Sequence, residues 1–183
     1  MRIAQWNANG LQQHKEEVKL FLIQNLTDII LVSETHFTTK NYFSIPGCDL
    51  CYTCHPDGTA HEGTAIIIKS SLDYCVQPKY AEATIQATTV SVSGLFSEIT
   101  IAAVYCPLRH NLKEEHFAAF FQTIGPRFLA GGDFNSKHIL WGSRLITTKG
   151  LELAKIIQTN NYSYLSTGSP TYWPTDTKKH RTY

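Results

Sequence analysis

The run DIILVSET, residues 28–35, constrains this chain more than any other stretch. It is a nearly continuous apolar segment rich in β-branched residues, the pattern of a strand covered on both faces. Such a strand needs a packed layer on each side, which points to a layered mixture of sheet and helix. The run ends on a carboxylate, Glu34, at the mouth of apolar strand. A carboxylate there is costly unless it is paired or meets a cation.

The rest of the chain repeats the theme. RIAQWN (Arg2 to Asn7), AIIIKS (Ala65 to Ser70), TTVSVS (Thr88 to Ser93), EITIAAVY (Glu98 to Tyr105) and RFLAGGDF (Arg127 to Phe134) read as strands. Helical stripes lie between them. The residues from Lys15 to Leu26 place Val18, Phe21, Leu22 and Leu26 on one face. Phe117, Phe120, Phe121 and Ile124 make a second stripe, and Leu153, Ile156 and Ile157 mark a third helix starting near Thr148. The predicted class is α/β (α+β), a layered sandwich. At 183 residues the chain reads as one domain.

Composition excludes some function classes. A net charge of +1 leaves no bulk basic footprint for coating nucleic acid, though it permits an enzyme that meets a phosphodiester through a metal ion. No apolar run approaches the roughly 20 residues of a membrane span, so no membrane partner is expected. The N-terminus reads as a strand and not as a signal peptide. Five cysteines, an odd number, suggest reduced thiols in a cytosolic or nuclear protein.

Four strands end in polar residues: Asn7-Ala8-Asn9-Gly10, Ser33-Glu34-Thr35-His36, Tyr105-Cys106-Pro107 and Asp133-Phe134-Asn135. Ligands of layered α/β folds bind where strand ends converge, on loops held by a rigid base. Strand alternation lets Asn7 and Asn9 face one pocket, and Asp133 and Asn135 likewise. Glu34 suits a hard, oxygen-liganded Mg²⁺. Asp133 is placed to orient or deprotonate an attacking water. Asn7 and Asn135 supply amide donors to phosphate oxygens, and Tyr105 stabilises charge developing on them. Together they describe metal-assisted phosphodiester hydrolysis. Each motif alone has a plainer reading: GDFN is also a strand-to-turn junction, and a glutamate at a strand end is also a solvated cap.

In their order, Trp6-Asn7-x-x-Gly10, Glu34-Thr35, Tyr105-x-Pro107 and Gly132-Asp133-Phe134-Asn135 resemble the exonuclease III, apurinic endonuclease and deoxyribonuclease I superfamily. Ala4 to Leu11, Glu34-Thr35-His36, Asp133 to His138 with Trp141-Gly142-Ser143, and Pro170-Thr171-Tyr172 look more narrowly like the N-terminal endonuclease domain of jockey-type non-LTR retrotransposon polyproteins. The resemblance implies a Mg²⁺-dependent enzyme, with Mn²⁺ as a substitute, that nicks double-stranded DNA and leaves a 3′-hydroxyl to prime reverse transcription. It implies Glu34 as metal ligand, Asn7 holding metal and phosphate, Tyr105 beside the scissile phosphate, Asp133 orienting the nucleophile and Asn135 positioning that aspartate. Asn9, His138 and Trp141 become substrate-side positions. A parent polyprotein carrying reverse transcriptase and a nuclear location, with cytoplasmic transit, follow from the same likeness.

Two departures stand beside it. Apurinic endonucleases commonly carry an acid where this chain has Asn9. The family closes on a Ser-Asp-His motif that occurs nowhere here, the sequence running Lys178-Lys179-His180-Arg181-Thr182-Tyr183 to its last residue. The expectation is therefore an endonuclease domain over 1–183 incomplete at its C-terminus, with low or no activity alone, because groups acting as one catalytic unit are strongly non-additive. An apurinic-type repair endonuclease, another phosphodiesterase of the same fold, and a non-catalytic DNA-binding remnant are the alternatives. Cys51-x-x-Cys54-His55 matches haem-attachment spacing, and Cys48, Cys51, Cys54 and His55 offer zinc-ligand types. Period-two alternation, with Cys48, Leu50 and Tyr52 on one face and Cys51 and Thr53 on the other, favours incidental strand cysteines.

Overall fold

The computed structural model describes residues 1–40, 43–94, 97–166 and 168. The Pro170-Thr171-Tyr172 marker and the basic run from Lys178 to Arg181 lie outside the described residues. The chain divides into two compact units, one of residues 1–110 and 120–134, the other of residues 111–119 and 135 onward.

The first unit holds two sheets. In one, β1 (Ile3–Asn7), β2 (Ile29–Ser33), β3 (Cys48–Thr53) and β4 (Thr64–Lys69) run in the order β1-β2-β4-β3. In the other, β5 (Tyr74–Val76), β6 (Tyr80–Ala81), β7 (Gln86–Ser93), β8 (Glu98–Tyr105) and β9 (Phe128–Asp133) run β5-β7-β8-β9, with β6 also on β7. Two pairs are parallel, β1 with β2 and β8 with β9. Parallel neighbours require a long crossover, usually helical. These two are joined through α1 (Lys15–Gln24) and α2 (Glu114–Thr123). Parallel pairing places the C-terminal ends of both strands together, Asn7 opposite Ser33 and Tyr105 opposite Asp133.

β2 is buried along its whole length, as its composition requires. Ile29 and Leu31 pack with Ile66, Ile68, Val90, Val92, Ile101 and Ala103 into a core drawn from both sheets. Ile30 and Val32, pointing the other way, join Leu11, Val18, Leu22, Phe37 and Ile67 in a second core. Each of the larger aliphatics contributes ~1.5–3 kcal/mol relative to exposure, so this burial, more than strand propensity, holds the layers. Buried threonines add polar links: the Thr53 hydroxyl donates to the Ala87 carbonyl at 3.0 Å, and the hydroxyls of Thr64 and Thr88 lie 2.9 Å apart.

The cysteine strand is as its alternation predicts. Cys48, Leu50 and Tyr52 pack on the second core, Cys51 packs on the first, and all five cysteines are free. Helix α1 departs from expectation. Val18 and Leu22 are buried, but Phe21 is 42% and Leu26 62% exposed. The helix ends at Gln24, and Leu26 sits beyond it at φ 49°, off the predicted stripe.

In the second unit, α3 (Thr148–Thr159) starts where predicted, its N-cap Thr147 accepting from the Gly150 amide. It buries Leu153, Ala154 and Ile156. No helix among the described residues is long and apolar enough to cross a membrane.

Candidate active site

The ends of the two parallel pairs build a polar cluster in the first unit. Asn7 closes β1, and its amide nitrogen donates to Glu34 Oε1 and to Asp133 Oδ2, both at 2.9 Å. Its carbonyl oxygen accepts the Asn9 backbone N–H at 3.1 Å. Both amide protons and the oxygen are therefore committed, which fixes the orientation of the group. Asn7 is the hub that holds two carboxylates on one face.

Glu34 is the first residue past β2, at φ 55°, and its side chain is 22% exposed. The left-handed turn lifts the carboxylate out of the sheet's alternation and toward Asn7. Backbone bonds pin the loop: the Gly10 amide donates to the Glu34 carbonyl at 2.8 Å, and the Leu11 amide to the Thr35 carbonyl at 3.0 Å. His36 Nε2 lies 3.8 Å from Glu34 Oε2.

Asp133 ends β9 and is held from below. The wholly buried Ser33 hydroxyl donates to the Val104 carbonyl at 2.9 Å and accepts the Asp133 backbone N–H at 3.1 Å. Gly132 sits so close to β8 that a Cβ there would run into the Val104 carbonyl oxygen. Glycine at this point of GGDF is thus a packing requirement, and not merely the turn residue its type suggests.

Tyr105 is 7% exposed at the end of β8. Burial first, then the charges of Glu34 and Glu62 with a hydrogen bond to Glu34, push its phenol above the ordinary range. It remains a protonated donor beside the carboxylates at any physiological pH.

The other predicted positions differ. Asn9 lies beyond the end of β1 at φ 43° and is exposed, so strand alternation does not bring its side chain in with Asn7. Asn135 likewise follows β9 and takes φ 49°; it belongs to the second unit. His138 is buried and caps a short 3₁₀ turn, Nδ1 accepting from the Leu140 amide at 3.2 Å. The Trp141 indole donates to the Ser136 carbonyl at 2.8 Å and its ring lies 5.2 Å from that of His138. Both side chains are engaged in building their own loop.

Sequence reasoning missed Glu62. It is 7% exposed at φ 54°, its Oε2 accepts from Gln86 at 2.6 Å, and its charge reaches Tyr105. Its carbonyl accepts the His36 amide at 2.9 Å. Glu62 precedes a strand, so attention to polar residues following strands passed over it. The adjoining Gly63, where a Cβ would meet Thr35 and Thr53, was the available sign.

The carboxylates of Glu34 and Asp133, held on one face by the Asn7 amide, offer oxygen ligands, which suits a hard divalent cation. Among known proteins, the Endonuclease/Exonuclease/phosphatase family model matches residues 4–182. The RNA-directed DNA polymerase from mobile element jockey of Drosophila melanogaster is 33% identical over 173 residues, covering 94% of this chain. Its counterpart in Drosophila funebris is 31% identical over the same share. The chain spans 19% of the length of either relative. In three dimensions it is similar to the endonuclease domain of TRAS1, a telomere-specific non-LTR retrotransposon, with a TM-score of 0.69 at 21% identity, covering 87% of this chain and 70% of that one. The catalytic domain of Xenopus laevis APE2 follows at 0.62 and 19%, covering 85% and 67%. The fold is of the deoxyribonuclease I-like type, and the chain belongs to the endonuclease/exonuclease/phosphatase family.

Proposed function

We propose that this chain is the endonuclease domain of a non-LTR retrotransposon polyprotein, nicking one strand of double-stranded DNA to expose a 3′-hydroxyl for reverse transcription. The single observation that carries the reading is the Asn7 amide shared between Glu34 and Asp133, in a chain whose curated relatives are polymerases of mobile elements. On this reading the parent protein works in the nucleus and carries a reverse transcriptase.

Glu34 would hold Mg²⁺, or Mn²⁺ in its place, with Asn7 fixing the carboxylate's direction. When bound, the ion polarises the phosphoryl oxygen and neutralises developing charge. Asp133, oriented by Asn7 and by the Ser33-braced backbone, accepts a proton from the attacking water. Tyr105 donates a hydrogen bond to a phosphate oxygen, a role that a phenol kept protonated by burial can fill. Asn135 follows Asp133 on the loop and supplies an amide donor to the phosphate. Asn9, exposed just past β1, is free to meet DNA, while His138 and Trp141, in the second unit, support the shape of their own loop.

A supercoiled-plasmid assay tests the reading, using the chain by itself and within the reading frame that carries it. Conversion to open circles with Mg²⁺, abolished by EDTA and by Glu34→Gln, is expected. Absence of nicking in both preparations, or nicking that survives Glu34→Gln, overturns it.

A further inference from the structure

The segment joining β3 to β4 carries a second cluster, built from groups that the proposed reaction does not use. His55, His61 and Glu62 each offer a ligand atom, and the three atoms lie within 4.8 Å of one another. His55 Nε2 is 3.6 Å from Glu62 Oε2. Bonds of 2.0–2.2 Å around a tetrahedral ion require ligand–ligand edges of about 3.4 Å, so this edge is near its liganded length. The two imidazole rings lie 4.1 Å apart between centroids, tilted by 41° to each other.

The surrounding contacts orient these ligands. His55 Nδ1 lies 2.8 Å from Asp57 Oδ1, and Arg109 Nη2 lies 3.3 Å from His55 Nε2. An arginine only donates, so Nε2 is the acceptor and Nδ1–H points at Asp57. The Asp57 amide also approaches Nδ1, at 3.3 Å, but the shorter carboxylate contact decides the tautomer. A carboxylate on one imidazole nitrogen with the other directed at a shared point is the arrangement that orients metal-bound histidines. His61 is held by a hydroxyl instead, its Nδ1 2.6 Å from Thr59 Oγ1, and its Nε2 lies 3.7 Å from Asp57 Oδ2. Gln86 donates to Glu62 Oε2 at 2.6 Å while its own oxygen accepts the Gly63 amide at 2.7 Å. Glu62 is therefore a buried, fixed carboxylate, and a buried carboxylate calls for a cation. Arg109 supplies one, 2.6 Å from Oε1, on a side chain 52% exposed that can withdraw with little loss of packing.

We propose that His55, His61 and Glu62 form a binding site for a transition-metal dication of the zinc class, with Arg109 as the internal cation that the metal displaces from Glu62. Two imidazoles and one carboxylate select a borderline ion over Mg²⁺ or Ca²⁺, which prefer an all-oxygen shell. The site is distinct from Glu34, and its effect is structural. The Glu62 and Gly63 carbonyls accept the His36 and Thr35 amides at 2.9 and 3.3 Å, so an ion here stiffens the segment that fixes the loop carrying Glu34.

The experiment is titration of the chelator-stripped, full 183-residue chain with Co²⁺, in the absence of DNA, followed by competition with Zn²⁺. One equivalent is expected to bind with the visible absorption of a tetrahedral nitrogen and oxygen site, lacking thiolate charge transfer, and Zn²⁺ is expected to displace it. His61→Ala, at a partly exposed position, is expected to weaken binding ~10–100-fold, and Arg109→Gln to strengthen it by about tenfold. Glu34→Gln is expected to leave the spectrum unchanged, which separates this site from the nuclease reading. Absence of the spectrum, a thiolate band, indifference to His61→Ala, or loss in Glu34→Gln overturns the proposal.

Discussion

The Asn7 amide nitrogen and the Asp133 carboxylate meet at 2.9 Å although 126 residues separate them. The same nitrogen holds Glu34, so one amide sets the spacing of two negative groups. Removing it leaves two carboxylates side by side with no shared donor. Asn7→Ala is expected to lower the nicking rate and raise the Mg²⁺ requirement, each ~10–100-fold, with folding retained. Rates measured across a Mg²⁺ series, beside circular dichroism, check this; a variant with unchanged Mg²⁺ dependence counts against the hub role.

Ser33 supports Asp133 through the backbone. Its hydroxyl is buried between the Val104 carbonyl and the Asp133 amide. Ser33→Ala removes both of these hydroxyl bonds from a buried position, a loss of ~1–3 kcal/mol. Urea unfolding measures it, and a midpoint equal to the parent's refutes it.

Gly132 admits no side chain. A Cβ would occupy the position of the Val104 carbonyl oxygen, so β8 and β9 must separate for alanine to fit. Gly132→Ala is expected to destabilise the first unit by ~1–3 kcal/mol or more, as overpacking does. Thermal unfolding beside Gly125→Ala, where a Cβ meets no atom within 4 Å and only the φ of 73° strains the alanine, separates the steric cost from the backbone cost.

Tyr105 is a donor and not a titrating base. Burial, with the charges of Glu34 and Glu62, raises its phenol above 10, so the neutral form persists throughout the assay range. The nicking rates of the parent and of Tyr105→Phe are expected to differ by a constant factor of ~10²–10³ between pH 7 and 9, typical of losing one oxyanion donor. Divergence of the two profiles below pH 9 argues against this role.

Acid stability has a local source at Asp28. Lys69 at 2.7 Å and the Arg2 amide, also at 2.7 Å, hold its carboxyl below the usual carboxylate range. A depressed folded pKa stabilises the protein above the unfolded value of about 3.9, and that stability is lost as pH falls through the folded pKa. Asp28→Asn is expected to flatten the acid limb of a stability–pH curve below pH 4 while lowering the plateau above it. A curve of unchanged shape disproves the assignment.

Much of the fold was legible because burial leaves a periodic trace. The apolar run before Glu34 announced a fully covered strand, and the phenylalanine stripe from Phe117 to Phe121 announced a buried helical face. That trace stops where the strands stop. Asn9 and Asn135 were placed by extending strand alternation past its end, but both take left-handed backbone and leave the pattern. Phe21 and Leu26 have the right type for a core, but Phe21 lies on an exposed side of α1 and Leu26 falls beyond its end.

What the sequence determined by itself was the set of groups: an amide, two carboxylates and a phenol, each at the end of an apolar strand, in an order particular to one family. Their convergence was decided only by tertiary structure. Two parallel strand pairs bring Asn7, Glu34, Tyr105 and Asp133 to one end of one unit. The partnership of Glu62 with Tyr105, His55 and Arg109 was decided there too. The reason is physical: local propensity acts over a few residues, whereas the direction of a side chain beyond a strand end is set by hydrogen bonds to segments distant in the chain, such as the 2.9 Å bond from the His36 amide to the Glu62 carbonyl.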